Sequence, residues 1–164
     1  MPAFSKTHTT PGCCFVALWN NVEINVWLDR PNGVASKITV KLVEELRQTH
    51  DKLSVLHIME DGAALPTLEG RDELMAGARN NATALACVGV LLPSKSVVAN
   101  MLRAFVRGFR TLLPFDMTTV VEQDMDTFLR QVVDLHVRNS GVKITTSDLG
   151  AAIADARRLA AKAK

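Results

Sequence analysis

The sequence predicts an α/β domain: a single mixed five-stranded sheet in the order ββαβαβαβα, with an antiparallel opening hairpin, the remaining strands parallel, and an added C-terminal helix. Three observations carry this. Val22, Ile24, Val26 and Leu28 alternate with Glu23, Asn25 and Trp27, the period of two that marks a strand with one more polar face. Leu85–Leu92 is nearly continuous apolar sequence, as expected of a parallel strand buried on both faces. Between and after these runs, apolar residues recur at helical spacing, and a helix joining two strands of one sheet makes them parallel through a right-handed crossover.

Element by element, residues 1–12 read as a loose, flexible, Thr-rich leader closed by Pro11–Gly12. Cys14–Trp19 is a short strand, and Asn20–Asn21 suits a tight hairpin turn because Asn tolerates positive φ. Arg30–Pro31–Asn32–Gly33 breaks the second strand. Ile38, Leu42, Val43 and Leu46 then stripe a helix for which Ser36 is a plausible N-cap. Leu53–Met59 reads as a strand, and Thr67 is placed to cap a helix over Leu68–Asn80. After Leu85–Leu92, Pro93 stops the strand and Ser94 or Ser96 caps a helix ending at Pro114, with Val98, Met101, Leu102, Phe105 and Phe109 on a wide apolar stripe. Thr118–Val121 is a short β-branched strand. Asp124 caps a helix with Phe128, Leu129, Val132 and Leu135 inward, and Asn139–Ser140–Gly141 breaks it. Ser147 is the predicted cap of an Ala-rich helix to about Ala163. The organisation expected is a leader over 1–12, a main domain over 13–138, and a linker with the terminal helix over 139–164. Helices are required on only one face of the opening hairpin.

A chain of 164 residues fits one domain able to bury roughly 70% of its unfolded surface without a staple. Nineteen basic and 17 acidic residues nearly balance, which implies no strong field for nucleic acid. Aromatics are 5% with no Tyr, short of the stacking platforms that single-strand binders use. Cys13, Cys14 and Cys87 form no CxxC pair and are odd in number, which argues against a disulfide framework and for a reducing, cytoplasmic setting. The polar first dozen residues lack the apolar core of a signal peptide, and no apolar run approaches the ~20 residues of a membrane span.

The stretch from Cys14 to Val137 resembles the SpoIIAA-like, or STAS-type, domains found as small bacterial proteins. The matching pieces are FVALWNNVEINVWLD, ITVKLVEELRQ, VLHIMEDGAALPTLEG and VLLPSKSVVANMLRAFVRGFRTLLPFDMTTVVEQDMDTFLRQV. The resemblance implies a non-enzymatic regulatory module that binds a partner protein. It also implies a phospho-switch at the start of the helix after the third core strand, where the family reads Asp-Ser. Here Asp61 to Thr67 carries no such pair, and Thr67 alone offers a hydroxyl.

Thr67 is therefore a candidate phospho-site, although a capping Thr is the commoner use of that position. Arg103, Arg107 and Arg110 fall at i, i+4 and i+7 of one helix with Lys95 upstream, a basic stripe suited to an anion or acidic partner, or else a solvated helix back. Ser94–Lys95–Ser96 lacks the glycines of a phosphate loop. Trp19 and Trp27 sit on the opening hairpin, and a Trp on an open sheet face marks an interface unless the terminal helix folds over it. His57 reads as a hydrogen-bonded core histidine. Glu60–Asp61, at a parallel strand end, would with His57 supply an acid or base, but no nucleophile pairs with a base in the sequence. Neither a metal nor a cofactor is predicted.

These readings predict a non-enzymatic STAS-like interaction module, with an unidentified protein or a second copy of the chain as partner. The alternative is a small-molecule or lipid-binding protein with a cleft between the sheet and the helix of residues 96–113, the arginines at its mouth. An enzyme built on Glu60, Asp61 and His57 ranks third.

Overall fold

The structure is a computed structural model that describes residues 3–92, 97–112 and 118–163. The sheet has six strands, in the order β1-β2-β3-β4-β5-β6: β1 Lys6–Thr10, β2 Cys14–Trp19, β3 Val22–Trp27, β4 Leu53–Met59, β5 Leu85–Leu91 and β6 Thr119–Glu122. The helices are α1 Gly33–Arg47, α2 Leu68–Asn81, α3 Val97–Leu112, α4 Met125–Ser140 and α5 Thr146–Lys162. The five-stranded expectation is thus one strand short. The extra strand lies in the stretch read as a flexible leader. β1 pairs antiparallel with β2 from Lys6↔Leu18 to Thr10↔Cys14. Its turn uses Gly12 at φ +68°, a conformation that glycine adopts without a Cβ penalty. β1 is an edge strand of Lys, Thr and His with no apolar alternation to read, and Thr favours the pleat through its branched Cβ.

The hairpin β2–β3 is antiparallel from Cys14↔Trp27 to Trp19↔Val22, with Asn20 at φ +50° in its turn. From β3 onward every pairing is parallel. Each strand hydrogen-bonds its predecessor in the chain, so α1, α2 and α3 are crossovers on one face. α4 and α5 follow the last strand and cover the other face. Both faces are therefore covered, where the polar side of β3 required helices on only one. The α4/α5 face buries Trp19, Ile24, Leu56, Cys87 and Phe128 under the small side chains Ala152, Ala156 and Ala160. Residues 139–163 thus pack on this same chain, α5 against β2, β3 and α4.

Two predicted caps move. Asn32, not Ser36, caps α1 by accepting from Ala35 N at 2.9 Å, and Thr145, not Ser147, caps α5 by accepting from Asp148 N at 3.1 Å. The chain enters α1 four residues, and α5 two residues, earlier than the expected caps. Thr67 and Asp124 cap α2 and α4 as read from the sequence. Pro93, Ser94, Lys95, Ser96 and Pro114 lie outside the described residues.

Candidate functional site: a polar stripe in an apolar cavity

On the α1–α3 face the strands project Glu23, Asn25 and Trp27 from β3 and Val55, His57 and Met59 from β4, Asn25 lying opposite His57 in the register. Sequence alternation puts these polar groups on one face, and the crossover helices then seal them from water. Glu23 is 0% exposed and Asn25 is fully buried. Asn25 Nδ2 donates to Glu23 Oε1 at 2.8 Å and to the Leu56 carbonyl at 3.3 Å. Glu23 Oε2 and Asn25 Oδ1 have no hydrogen-bond partner among the described residues. Burial pushes the Glu23 carboxyl up to about 8, against the lowering effect of the Asn25 hydrogen bond, so at neutral pH it is an uncharged acid. Next along the stripe, Trp27 Nε1 donates to His57 Nδ1 at 3.1 Å, with the two rings stacked at 6.2 Å between centroids. Burial lowers His57 to about 4, so its ring is neutral. With Nδ1 accepting, the ring proton sits on Nε2.

The helices do not close down on this stripe. α2 leans on α1, where a Cβ added to Gly77 would lie 2.4 Å from a Val40 methyl. Its sheet-facing Leu74, Gly77, Ala78 and Asn81 line a cavity of about 70 Å³ with Glu23, Thr39 and His57. A second cavity of about 90 Å³ lies between the sheet and α3, bounded by Trp27, Met59, Val90, Leu102, Phe105 and Val106. The two share His57, Leu74 and Val88 and so adjoin. Each is several times the ~10–15 Å³ that one water requires. The walls are mostly apolar, with Glu23 and His57 on the β3–β4 floor and Thr39 and Asn81 on the helices as the polar groups of the first cavity.

The sequence-predicted site residues fall in different places. The Thr67 hydroxyl accepts from Gly70 N at 3.0 Å and donates to the Pro31 carbonyl at 3.4 Å, both at the start of α2. Arg103 and Arg107 lie on α3 beside a shallow groove along β6, which meets the α3 cavity at Val106 and Thr119. Lys95 and the side chain of Arg110 lie outside the described residues. Trp19 and Trp27 form no open surface: both are buried in this chain's own core, one on each face of the sheet, Trp27 being 1% exposed. Glu60 pairs with Arg157 of α5, Nη2 to Oε2 at 3.0 Å, which ties the loop after β4 to the terminal helix. His57 is directed to Trp27, and no contact joins it to Glu60 or Asp61 among the described residues.

Sequence reasoning missed Glu23 and Asn25 as site residues, reading them as the wetter side of a half-exposed strand. The one signal was Trp27, a large apolar residue sharing their strand face. It also missed a pair on the opposite face: Ser54 Oγ and His136 Nδ1 are 2.8 Å apart, both fully buried. Burial lowers His136 to about 4. Although these are residue types of a nucleophile and base, neither lines a described cavity, and the pair fastens α4 to β4. Cys87 is likewise interior, its thiol pushed up to about 12 by burial. Among the described residues no three His, Cys, Asp or Glu side chains gather as a metal site, and no helix is long and apolar enough to cross a membrane.

Comparison of the chain with protein-family models, with curated proteins and with solved structures finds no match. The STAS-type resemblance is thus a likeness of element order and apolar pattern alone.

Proposed function

We propose that this protein binds a small, largely apolar molecule in the paired cavity between its sheet and helices α1–α3. The observation that carries the reading is the cavity itself: apolar walls with a few convergent polar groups at one end, the usual make-up of a small-molecule site. Its position beneath α3 agrees with the cleft expected between the sheet and residues 96–113. Arg103 and Arg107 stand beside it through the groove at Val106 and Thr119. The activity is binding, since the neutral acid and neutral imidazole on its floor have no nucleophile between them.

Thermal unfolding of the full chain with and without ethylbenzene tests this. Binding to the folded state raises the midpoint, by a further increment with each tenfold rise in ligand concentration. Val88→Phe, which fills the junction of the two cavities, removes the increase. An unchanged midpoint in the unaltered chain sinks the reading.

A second reading, the STAS-like interaction module, is favoured by one surface feature. Val34 and Leu68 are 65% and 68% exposed at the starts of α1 and α2. Those starts adjoin, since a Cβ on Gly70 would lie 2.3 Å from the Pro31 carbonyl oxygen. Neighbouring exposed apolar side chains suit a protein contact, a second copy included. Sedimentation equilibrium of the chain and of Val34→Lys/Leu68→Lys checks this: a monomer unaffected by the double change counts against self-association.

A further inference from the structure

The floor of the cavity says more about the ligand than its walls do. Glu23 Oε1 accepts the Asn25 hydrogen bond, which leaves Oε2 as the oxygen that carries the acid proton. Oε2 is buried and has no hydrogen-bond partner among the described residues, and Glu23 lines the cavity. His57, on the same floor, uses Nδ1 to accept from Trp27 and therefore presents an N–H at Nε2. Glu23, which lines the cavity under α2, and His57, which lines both cavities, thus each carry one neutral hydrogen-bond donor. A buried donor left unmade costs about 1–3 kcal/mol, so a ligand that supplies an acceptor gains more there than one that supplies only hydrocarbon. A charged ligand would have to shed its hydration among apolar walls.

We propose that the cavity is selective for an uncharged molecule with a hydrocarbon body and one carbonyl-type oxygen, which accepts a hydrogen bond from the Glu23 carboxylic acid beside His57. This rests on the reading of the cavity as a ligand site and names the ligand's chemical class. Glu23 is a binding residue in it, and no bond is made or broken.

Three probes of similar shape test it on the full chain by isothermal titration at neutral pH: acetophenone, ethylbenzene and benzylamine. Acetophenone is expected to bind about tenfold more tightly than ethylbenzene, the worth of one net hydrogen bond. Glu23→Gln keeps an acceptor for Asn25 and a donor for the ligand, so the preference survives in it. Glu23→Met keeps the volume and loses the donor, so acetophenone falls to the level of ethylbenzene while ethylbenzene binding is retained. That retention also shows that the variant is folded. Equal binding of acetophenone and ethylbenzene to the unaltered chain overturns the proposal and leaves the cavity a ligand site. Preference for benzylamine overturns it too, because the acid would then act as a counter-ion. Equal loss in Glu23→Gln and Glu23→Met overturns the donor role. Binding of none of the probes overturns the ligand-site reading itself, and this inference with it.

Discussion

The two faces of the sheet solve the same problem differently. The α4/α5 face is filled: Phe128, Leu129 and Val132 press onto the strands, and α5 comes close because its inward residues are Ala152, Ala156 and Ala160. At Gly89 a single added Cβ would lie 2.8 Å from Leu56 and 2.9 Å from Phe128. The α1–α3 face has larger residues on α1 and α3, yet no residue of α2 joins its apolar core. Each face buries one neutral histidine. On the filled face His136 meets Ser54 and neither lines a described cavity, whereas on the open face His57 borders space. Close packing fills the one face, whereas the other keeps space beside its polar stripe.

Deleting the same ring from each face should separate them most. Phe128→Ala is expected to cost about 3–5 kcal/mol, because a fully enclosed ring leaves a cavity that its neighbours cannot refill. Phe105→Ala removes a ring that already borders a cavity and is only partly buried, and should cost less, about 1–2 kcal/mol. Urea unfolding of the two variants measures the gap, and equal losses would dissolve the contrast.

The next effect is a pH dependence that belongs to the open face. The folded chain holds the Glu23 proton up to about pH 8, and the unfolded chain releases it near 4.5. The stability this acid contributes is therefore complete below pH 4.5 and is lost as pH rises through 8. His57 and His136 run the other way: with folded values lowered from 6.5 to about 4, their contribution is complete above 6.5 and is lost as pH falls through 4. Between pH 6.5 and 8 the glutamate dominates, and unfolding free energy should fall by about 2 kcal/mol, at roughly 1.4 kcal/mol per pH unit. Glu23→Gln should flatten that limb and leave the acid limb of the histidines in place.

The smallest contrast adds atoms. Ala152→Val on the filled face should destabilise by about 1–3 kcal/mol through overpacking. Val88→Ile, at the meeting of the two cavities, should be neutral or stabilising by about 0.5 kcal/mol. Thermal midpoints moving in the same direction for both would place the spare volume elsewhere.

Much of the fold was legible because apolar periodicity is a local signal. Val22–Trp27, Leu53–Met59 and Leu85–Leu91 form the strands expected, and Thr67 and Asp124 cap their helices. β1 was not legible because Lys6–Thr10 buries little, and an edge strand paired through its backbone leaves no apolar trace. The site was legible only in part. His57 was read as a hydrogen-bonded core residue, but its Trp27 partner is set by the β3–β4 register and by a tautomer that sequence does not specify. Glu23 and Asn25 looked like solvated residues because coverage of their face depends on where three crossovers land. α2 meets α1 through the close contact of Gly77 with Val40, a tertiary detail without sequence signature.

The strand order has a consequence for how the molecule is assembled. Because every strand lies beside the one before it, a chain emerging from its N-terminus can extend the sheet one neighbour at a time, with loop closures confined to adjacent units. α5 reaches furthest back along the chain, laying its alanines across β2 and β3. A segment more than a hundred residues downstream of the β2–β3 hairpin is the one that seals it.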